Sequence, residues 1–388
     1  MRKNIPGSDQ IFEVGVDDQT IDLFENQYPV PEGISYNSYV IRDTKTAVMD
    51  TADPRAEAQW LQNVAEALDG TAPDYLVISH MEPDHAGSIG ALAARFPEMT
   101  LVGSAKALGM LPQFLPKMPQ NPTRAVKEGE TLELGAHTLH FIMAPMVHWP
   151  EVMAAYESTE KILFSADGFG RFGTRDGSQP WTDEARRYYI NIVGKYGAPV
   201  QTLLKKAAKL DIRTICPLHG PVLTGDLSPY LEKYQTWSSY APEERGVLVA
   251  HASIHGNTAK AAAYLAAQLE AMGETVTLVD LCRCDMAEAV AQAFRYDRLV
   301  LAAASYDGGV FLPMEAFLLH LQYKAFQKRT AYLVENGSWA PCAAKKMRSL
   351  LEQMKEIEVP EAAVTIRSAV HPADEEALKA LAEVISKN

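Results

Sequence analysis

Residues 246–388 alternate strand and helix patterns so regularly that few folds remain open to them. Gly246–Ala252 is a short apolar run, read as a strand buried on both faces. Thr258–Met272 is an alanine-rich helix that Gly273 stops. Thr275–Leu281 and Leu299–Ser305 read as further strands. Pro313–Gln327 follows as a helix, Thr330–Glu335 as a strand, and Ala363–Ser368 as the last strand before a C-terminal helix. Strands joined by helices in this order imply a doubly wound, five-stranded parallel sheet.

The preceding residues follow another plan. Ile34–Ile41 and Lys45–Asp50 read as strands, Pro54–Leu68 as a helix, and Tyr75–Ser79 as a strand running into His80. More strands are expected around Thr131–Phe141 and Lys161–Ser165. Runs of strands with helices between them imply a mixed sandwich with helices outside. The polar, proline-bearing stretch Ser238–Arg245 separates the two patterns. It places one domain at 1–242 and a second at 243–388.

Composition narrows the function. At 388 residues the chain is long enough for two domains. A net charge of −13 disfavours nucleic acid as a partner. Apolar runs such as Leu299–Ala304 fall far short of the ~20 residues that span a bilayer. The start, MRKNIPGSDQ, is basic but carries no apolar stretch of the secretory kind, so a cytoplasmic location away from membranes is expected. The four cysteines include no C-x-x-C pair, which excludes a disulfide framework and a fused rubredoxin-type iron site.

The strongest chemical signal is Ser79-His80-Met81-Glu82-Pro83-Asp84-His85 at a strand end. Four metal-ligand side chains fall within six positions, and Pro83 keeps them out of a helix interior. His148, Asp167 and His219 each follow a strand as well, the strands being Thr138–Met143, Ile162–Ser165 and Thr214–Cys216. Shared placement after strands favours convergence on one edge of the sandwich. Glu82, Asp84 and Asp167 add carboxylate to imidazole, which hardens a site toward iron or manganese rather than zinc.

A second constellation lies in three loops of the C-terminal pattern. Ser253-Ile254-His255-Gly256-Asn257-Thr258 follows the first strand and opens a helix, whose free N–H groups suit a phosphate. There is no P-loop lysine and no G-x-G-x-x-G, so a monophosphate suits the loop better than a triphosphate or dinucleotide. Ser305-Tyr306-Asp307-Gly308-Gly309 and Asn336-Gly337-Ser338-Trp339 follow the third and fourth strands. Their aromatics and glycine amides stand where open α/β sheets bind ligands and suit a flavin ring. Together the three loops resemble flavodoxin and imply FMN.

The first motif set resembles the metallo-β-lactamase superfamily pattern H-x-H-x-D-H, with Glu82 in place of the second histidine. Joined to a flavodoxin-like domain, it looks like the flavodiiron protein family. His148-Trp149-Pro150, Asp167-Gly168-Phe169-Gly170 and Arg187-Tyr188-Tyr189 extend the resemblance over nearly the whole chain. The resemblance implies FMN and two iron ions in a non-haem diiron centre. His80, Glu82 and His148 would hold one iron, Asp84, His85 and His219 the other, and Asp167 would bridge them. The implied activity is reduction of dioxygen to water, of nitric oxide to nitrous oxide, or of both. Electrons would come from an external donor such as rubredoxin or a flavin reductase. Tyr196 matches a family position near the irons, and a head-to-tail homodimer, or a dimer of such dimers, is implied. A zinc hydrolase carrying a flavodoxin domain and a flavin electron carrier are the alternatives. His255 stands where relatives often carry a larger aromatic.

Overall fold

The computed structural model describes residues 3–388; Met1 and Arg2, part of the basic start of the chain, lie outside that range. Contacts divide the chain into two units. One runs to Tyr189 and includes Ala198–Gln235; the other comprises Ile190–Gly197 and Thr236–Asn388.

In the first unit two sheets share one core. One sheet carries, in spatial order, Lys3–Asn4, Ile11–Glu13, Tyr39–Ile41, Ala47–Met49, Tyr75–Ile78, Thr100–Ser104 and Thr123–Val126. The other carries Thr131–Glu133, Thr138–Met143, Met153–Glu157, Ile162–Phe164, Thr214–Cys216 and Leu223–Thr224. Side chains alternate along each strand, so Tyr39, Ile41 and Val77 from one sheet meet Leu139, Phe141 and Phe164 from the other. Helices cover the outside. Glu57–Leu68 buries Trp60, Val64, Ala67 and Leu68 at helical spacing.

One segment expected as a continuous strand, Ile34–Ile41, is broken, and the break has a cause. Ile34–Tyr36 pairs with Val16–Asp18, whereas Tyr39–Ile41 joins the large sheet. Between them the Asn37 side chain donates to the carbonyls of Pro217 and Gly220, both at 2.8 Å, and its amide donates to Leu218. The bend thus clamps the turn that carries His219. The strands expected around Thr131–Phe141 are two, Thr131–Glu133 and Thr138–Met143, with a turn between them. Gly135 there has φ +136°, and the His137 amide donates to Asp43 at 2.7 Å.

The second unit is the expected doubly wound sheet. Its parallel order is Val276–Asp280, Glu244–Ala252, Tyr296–Tyr306, Arg329–Asn336 and Ala363–Ile366. Val247–Ala250 is fully buried, as a central strand covered by helices on both faces requires. Ile357–Glu358 also pairs with the start of Arg329–Asn336, and Gly309–Val310 adds a short antiparallel turn beside Ser305–Tyr306. A helix that the pattern did not yield, Met286–Arg295, begins where the Asp285 carboxylate accepts the Ala287 amide at 2.9 Å. Among the described residues, no helix is long and apolar enough to cross a membrane.

Candidate functional site

The loop after Tyr75–Ile78 is held from below by Asp50, whose Oδ1 accepts the Ser79 amide at 2.7 Å. Burial pushes the Asp50 carboxyl up to about 7 against the pull of its Ser79 bonds. Pro83 opens the short helix Pro83–Ala86, which turns Asp84 and His85 inward, while Glu82 precedes it in extended conformation. Thr51 Oγ1 donates to the His85 carbonyl at 2.6 Å and fixes the far end of the loop.

The structure brings all seven expected metal-ligand side chains into two adjoining groups. His80, Glu82, His148 and Asp167 form one, and Asp84, His85 and His219 the other, with the potential ligand atoms in each within 4.8 Å of one another. Glu82 Oε2 lies 3.2 Å from His80 Nε2 and 3.0 Å from His148 Nε2. Asp84 Oδ2 lies 3.2 Å from both His85 Nε2 and His219 Nε2. Asp167 faces both groups. Its Oδ2 is 3.3 Å from His80 and 3.2 Å from His148, and its Oδ1 is 3.6 Å from His85 and 3.9 Å from His219.

The electrostatics fit a pair of cations. Asp167 is 1% exposed, yet neither it nor Asp84 finds a hydrogen-bond partner on its buried oxygens beyond the ring nitrogens facing them. Burial alone would raise the Asp167 and Glu82 carboxyls, but the neighbouring imidazoles hold both well below the usual carboxylate range. His148 shows the reciprocal effect. Burial works against its charge, but Asp167 and Glu82 outweigh it and lift the ring to about 9. His80 is raised well above its ordinary value for similar reasons. Burial, reinforced by His219, depresses His85 to about 4. Without metal, imidazolium charge therefore does what bound cations would do. Donor atoms tetrahedrally arranged around an ion at about 2.1 Å are roughly 3.4 Å apart, close to the spacings seen.

Several neighbours were not legible in the sequence. Glu151 Oε1 accepts from His80 Nδ1 and from the Met81 amide, each at 2.9 Å. The Ser35 carbonyl accepts from His219 Nδ1 at 2.6 Å. Phe24 and Tyr188 pack on the His219 ring, each at 5.4 Å between centroids, and Trp149 stands edge-on to His80 at 5.2 Å. Phe24 lies on a hairpin, and its next residue, Glu25, has a carboxyl raised by burial and by the Glu82 charge. Glu151, three residues past His148, had a positional hint, as did Trp149 beside that ligand and Tyr188 in its motif. Tyr196 is half-buried on the Gly194–Tyr196 turn and belongs to the second unit, whereas the tyrosine packed against a ligand is Tyr188.

In the second unit the three loops line a cavity of about 540 Å³, a size suited to a small ligand. Ser253, Ile254, His255, Asn257 and Thr258 line it from the first loop. Ser305, Tyr306, Asp307 and Gly308 contribute from the second, and Asn336, Gly337, Ser338 and Trp339 from the third. Gly256 and Gly309 stand outside the lining; Gly256 serves instead at φ +89°, turning the chain into the helix Asn257–Ala271. Some expected donors are spent on the loops themselves. Ser253 Oγ accepts the Gly256 amide, Ser305 Oγ accepts the Cys342 and Ala343 amides, and Asn336 exchanges two bonds with Ser368. The Asn257 and Thr258 side chains make no hydrogen bond among the described residues. They sit with the helix's unpaired first-turn amides and are available to an anion. Trp339 is 90% exposed and Tyr306 45%, leaving the cavity with an open aromatic rim.

A family model, the ODP family beta lactamase, matches residues 34–220. "Putative diflavin flavoprotein A 2" of Synechocystis sp. is 34% identical over 276 residues, covering 69% of this chain and 47% of that protein. The chain thus spans about half the length of that relative. The anaerobic nitric oxide reductase flavorubredoxin of Aeromonas hydrophila is 28% identical over 343 residues, covering 85% of this chain and 69% of the relative. The solved rubredoxin oxygen:oxidoreductase of Desulfovibrio gigas superposes with a TM-score of 0.92 at 26% identity, covering 100% of this chain and 98% of that one. The chain belongs to the flavodiiron protein family. Its flavodiiron architecture is a metallo-β-lactamase-like sandwich followed by a flavodoxin-like sheet.

Proposed function

We propose that this chain is an FMN- and diiron-dependent reductase of dioxygen, nitric oxide or both, drawing electrons from an external donor such as rubredoxin or a flavin reductase. The observation that carries the reading is Asp167, whose two oxygens each face a separate group of ligands. Two cations roughly 3.5–4 Å apart need a shared anion of this kind. Glu82 in place of an imidazole supports iron over zinc. When bound, FMN would supply electrons singly and the iron pair would supply the positions at which a diatomic gas is reduced.

The chain's own residues do the rest. His80, Glu82 and His148 hold one iron, and Asp84, His85 and His219 hold the other. Trp149 and Phe24 pack against the ligand rings and keep bulk water from them. Asn257, Thr258 and the amides around them take the FMN phosphate, while the glycine-bearing loops at Gly308 and Gly337 meet the ring. For the tyrosine beside the irons we take Tyr188, ahead of Tyr196. The diiron domain is 1–242 and the FMN domain 243–388. The exposed Trp339 and Tyr306 at the cavity rim support a head-to-tail dimer, in which the flavin of one chain meets the irons of its partner. Elemental and flavin analysis of the purified protein tests the cofactor set. About two irons and one FMN per chain are expected; stoichiometric zinc with hydrolytic turnover would contradict it.

A further inference from the structure

The inner ligands of the two metal positions match in kind. Each position has two imidazoles, one carboxylate of its own and one oxygen of Asp167. Any inequality between them must come from the groups behind the ligands, and there the two positions differ sharply.

Behind His80 stands a buried carboxylate. Glu151 and His80 have fully buried side chains, and Nδ1 donates to Oε1 at 2.9 Å. The same oxygen accepts the Met81 amide, and the Glu151 carbonyl accepts from Ser104 Oγ at 2.8 Å, so Glu151 is held at both ends. This bond keeps the ring proton on Nδ1 and leaves Nε2 for a metal. An anionic acceptor also makes the imidazole a stronger donor than a neutral one does. Behind His219 the acceptor is only the Ser35 carbonyl, and His85 Nδ1 is buried with no partner. Glu25, the other carboxyl near the first group, interacts with Glu82 and His148, whereas the partner of the His80 Nδ1 is Glu151.

We propose that Glu151 makes the two metal positions unequal, so that the His80 position fills first and holds its ion more tightly than the His85 position. This rests on the two-metal reading above. Glu151 acts through His80 and is a positioning residue rather than a ligand.

The test is an anaerobic titration of the metal-depleted full-length chain with iron(II) against a competing chelator, with FMN content and melting temperature followed alongside. The wild type should show two binding steps. In Glu151→Gln, which keeps the shape and can still accept both hydrogen bonds, the tighter step should weaken by roughly 10–100-fold. The weaker step should stay within about twofold. Glu151→Asp, which keeps the charge but draws it back from Nδ1, should fall between, and covers the case of a Gln variant that folds poorly. His85→Ala should remove the weaker step and spare the tighter one, which assigns the steps to positions. Equal weakening of both steps in Glu151→Gln, or of neither, would overturn the proposal. Uptake of a single ion by the wild type would instead overturn the two-metal reading beneath it.

Discussion

His85 Nε2 and His219 Nε2 face each other at 3.0 Å, with ring planes inclined by 59°. The two rings are pushed in opposite directions. Burial and the His219 charge depress His85, whereas Asp84 and the Ser35 carbonyl outweigh burial and raise His219. The surroundings thus favour a proton on His219 more than on His85. A metal entering this group therefore competes with a proton more at His219 than at His85.

Metal loading should accordingly release protons, chiefly from His80, His148 and His219, all of which are raised in the metal-free chain. Calorimetric titration in buffers of different ionisation enthalpy measures this. At pH 7.5 clear proton release is expected, shrinking as pH rises through about 9, where His148 loses its proton without metal. Binding without proton release at pH 7.5 would contradict the charge pattern.

The same shift predicts the stability of the metal-free chain. His148 titrates near 9 in the fold against about 6.5 when unfolded. Its pairing with Asp167 and Glu82 is therefore fully stabilising below about pH 6.5, and that stabilisation is lost as pH rises toward 9. Melting temperature of the metal-free protein should fall across this window, and His148→Gln should flatten the fall. An unchanged slope in the variant would remove His148 from the account.

Flavin binding should depend on the uncommitted hydroxyl at Thr258. A hydrogen bond to a charged group contributes roughly 1.5–3 kcal/mol, so Thr258→Val should weaken FMN by roughly 10–100-fold. Iron content should stay intact, and riboflavin, lacking the phosphate, should hardly sense the change. Equal losses for FMN and riboflavin would mean that Thr258 shapes the loop without touching phosphate.

Assembly is tested by complementation. His80→Ala keeps the flavin loops, and Thr258→Val with Asn257→Ala keeps the metal ligands. Heterodimers formed by subunit exchange should contain one intact pairing across the head-to-tail interface and recover part of the gas-reducing activity. Background activity after demonstrated exchange would place electron transfer within one chain.

The ligand loop was legible because His80, Glu82, Asp84 and His85 crowd into one strand end, where chance seldom places them together. Asp167 and His219 were legible more weakly, through their positions after strands. The supports were not, because their meaning arises only on folding. Glu151 meets His80 across 71 residues, and Ser35 meets His219 across 184. A glutamate and a serine carry no mark of such a partner. The break at Asn37 was hidden for the same reason: Ile34–Ile41 has a strand's composition, and only the Pro217–Gly220 turn bends it. In the flavin loops the residue types marked the place but not the task. Ser305 and Asn336 hold the loops in shape, while Thr258 remains free for a ligand.

The most direct test of the central claim is anaerobic stopped-flow mixing of the fully reduced protein, with iron and FMN quantified beforehand, against dioxygen and nitric oxide in turn. The account predicts rapid flavin reoxidation by at least one gas, with water or nitrous oxide as product, and loss of that phase in Asp167→Ala although FMN remains bound. Reoxidation equally fast in Asp167→Ala, or no faster than that of free reduced FMN, would contradict it.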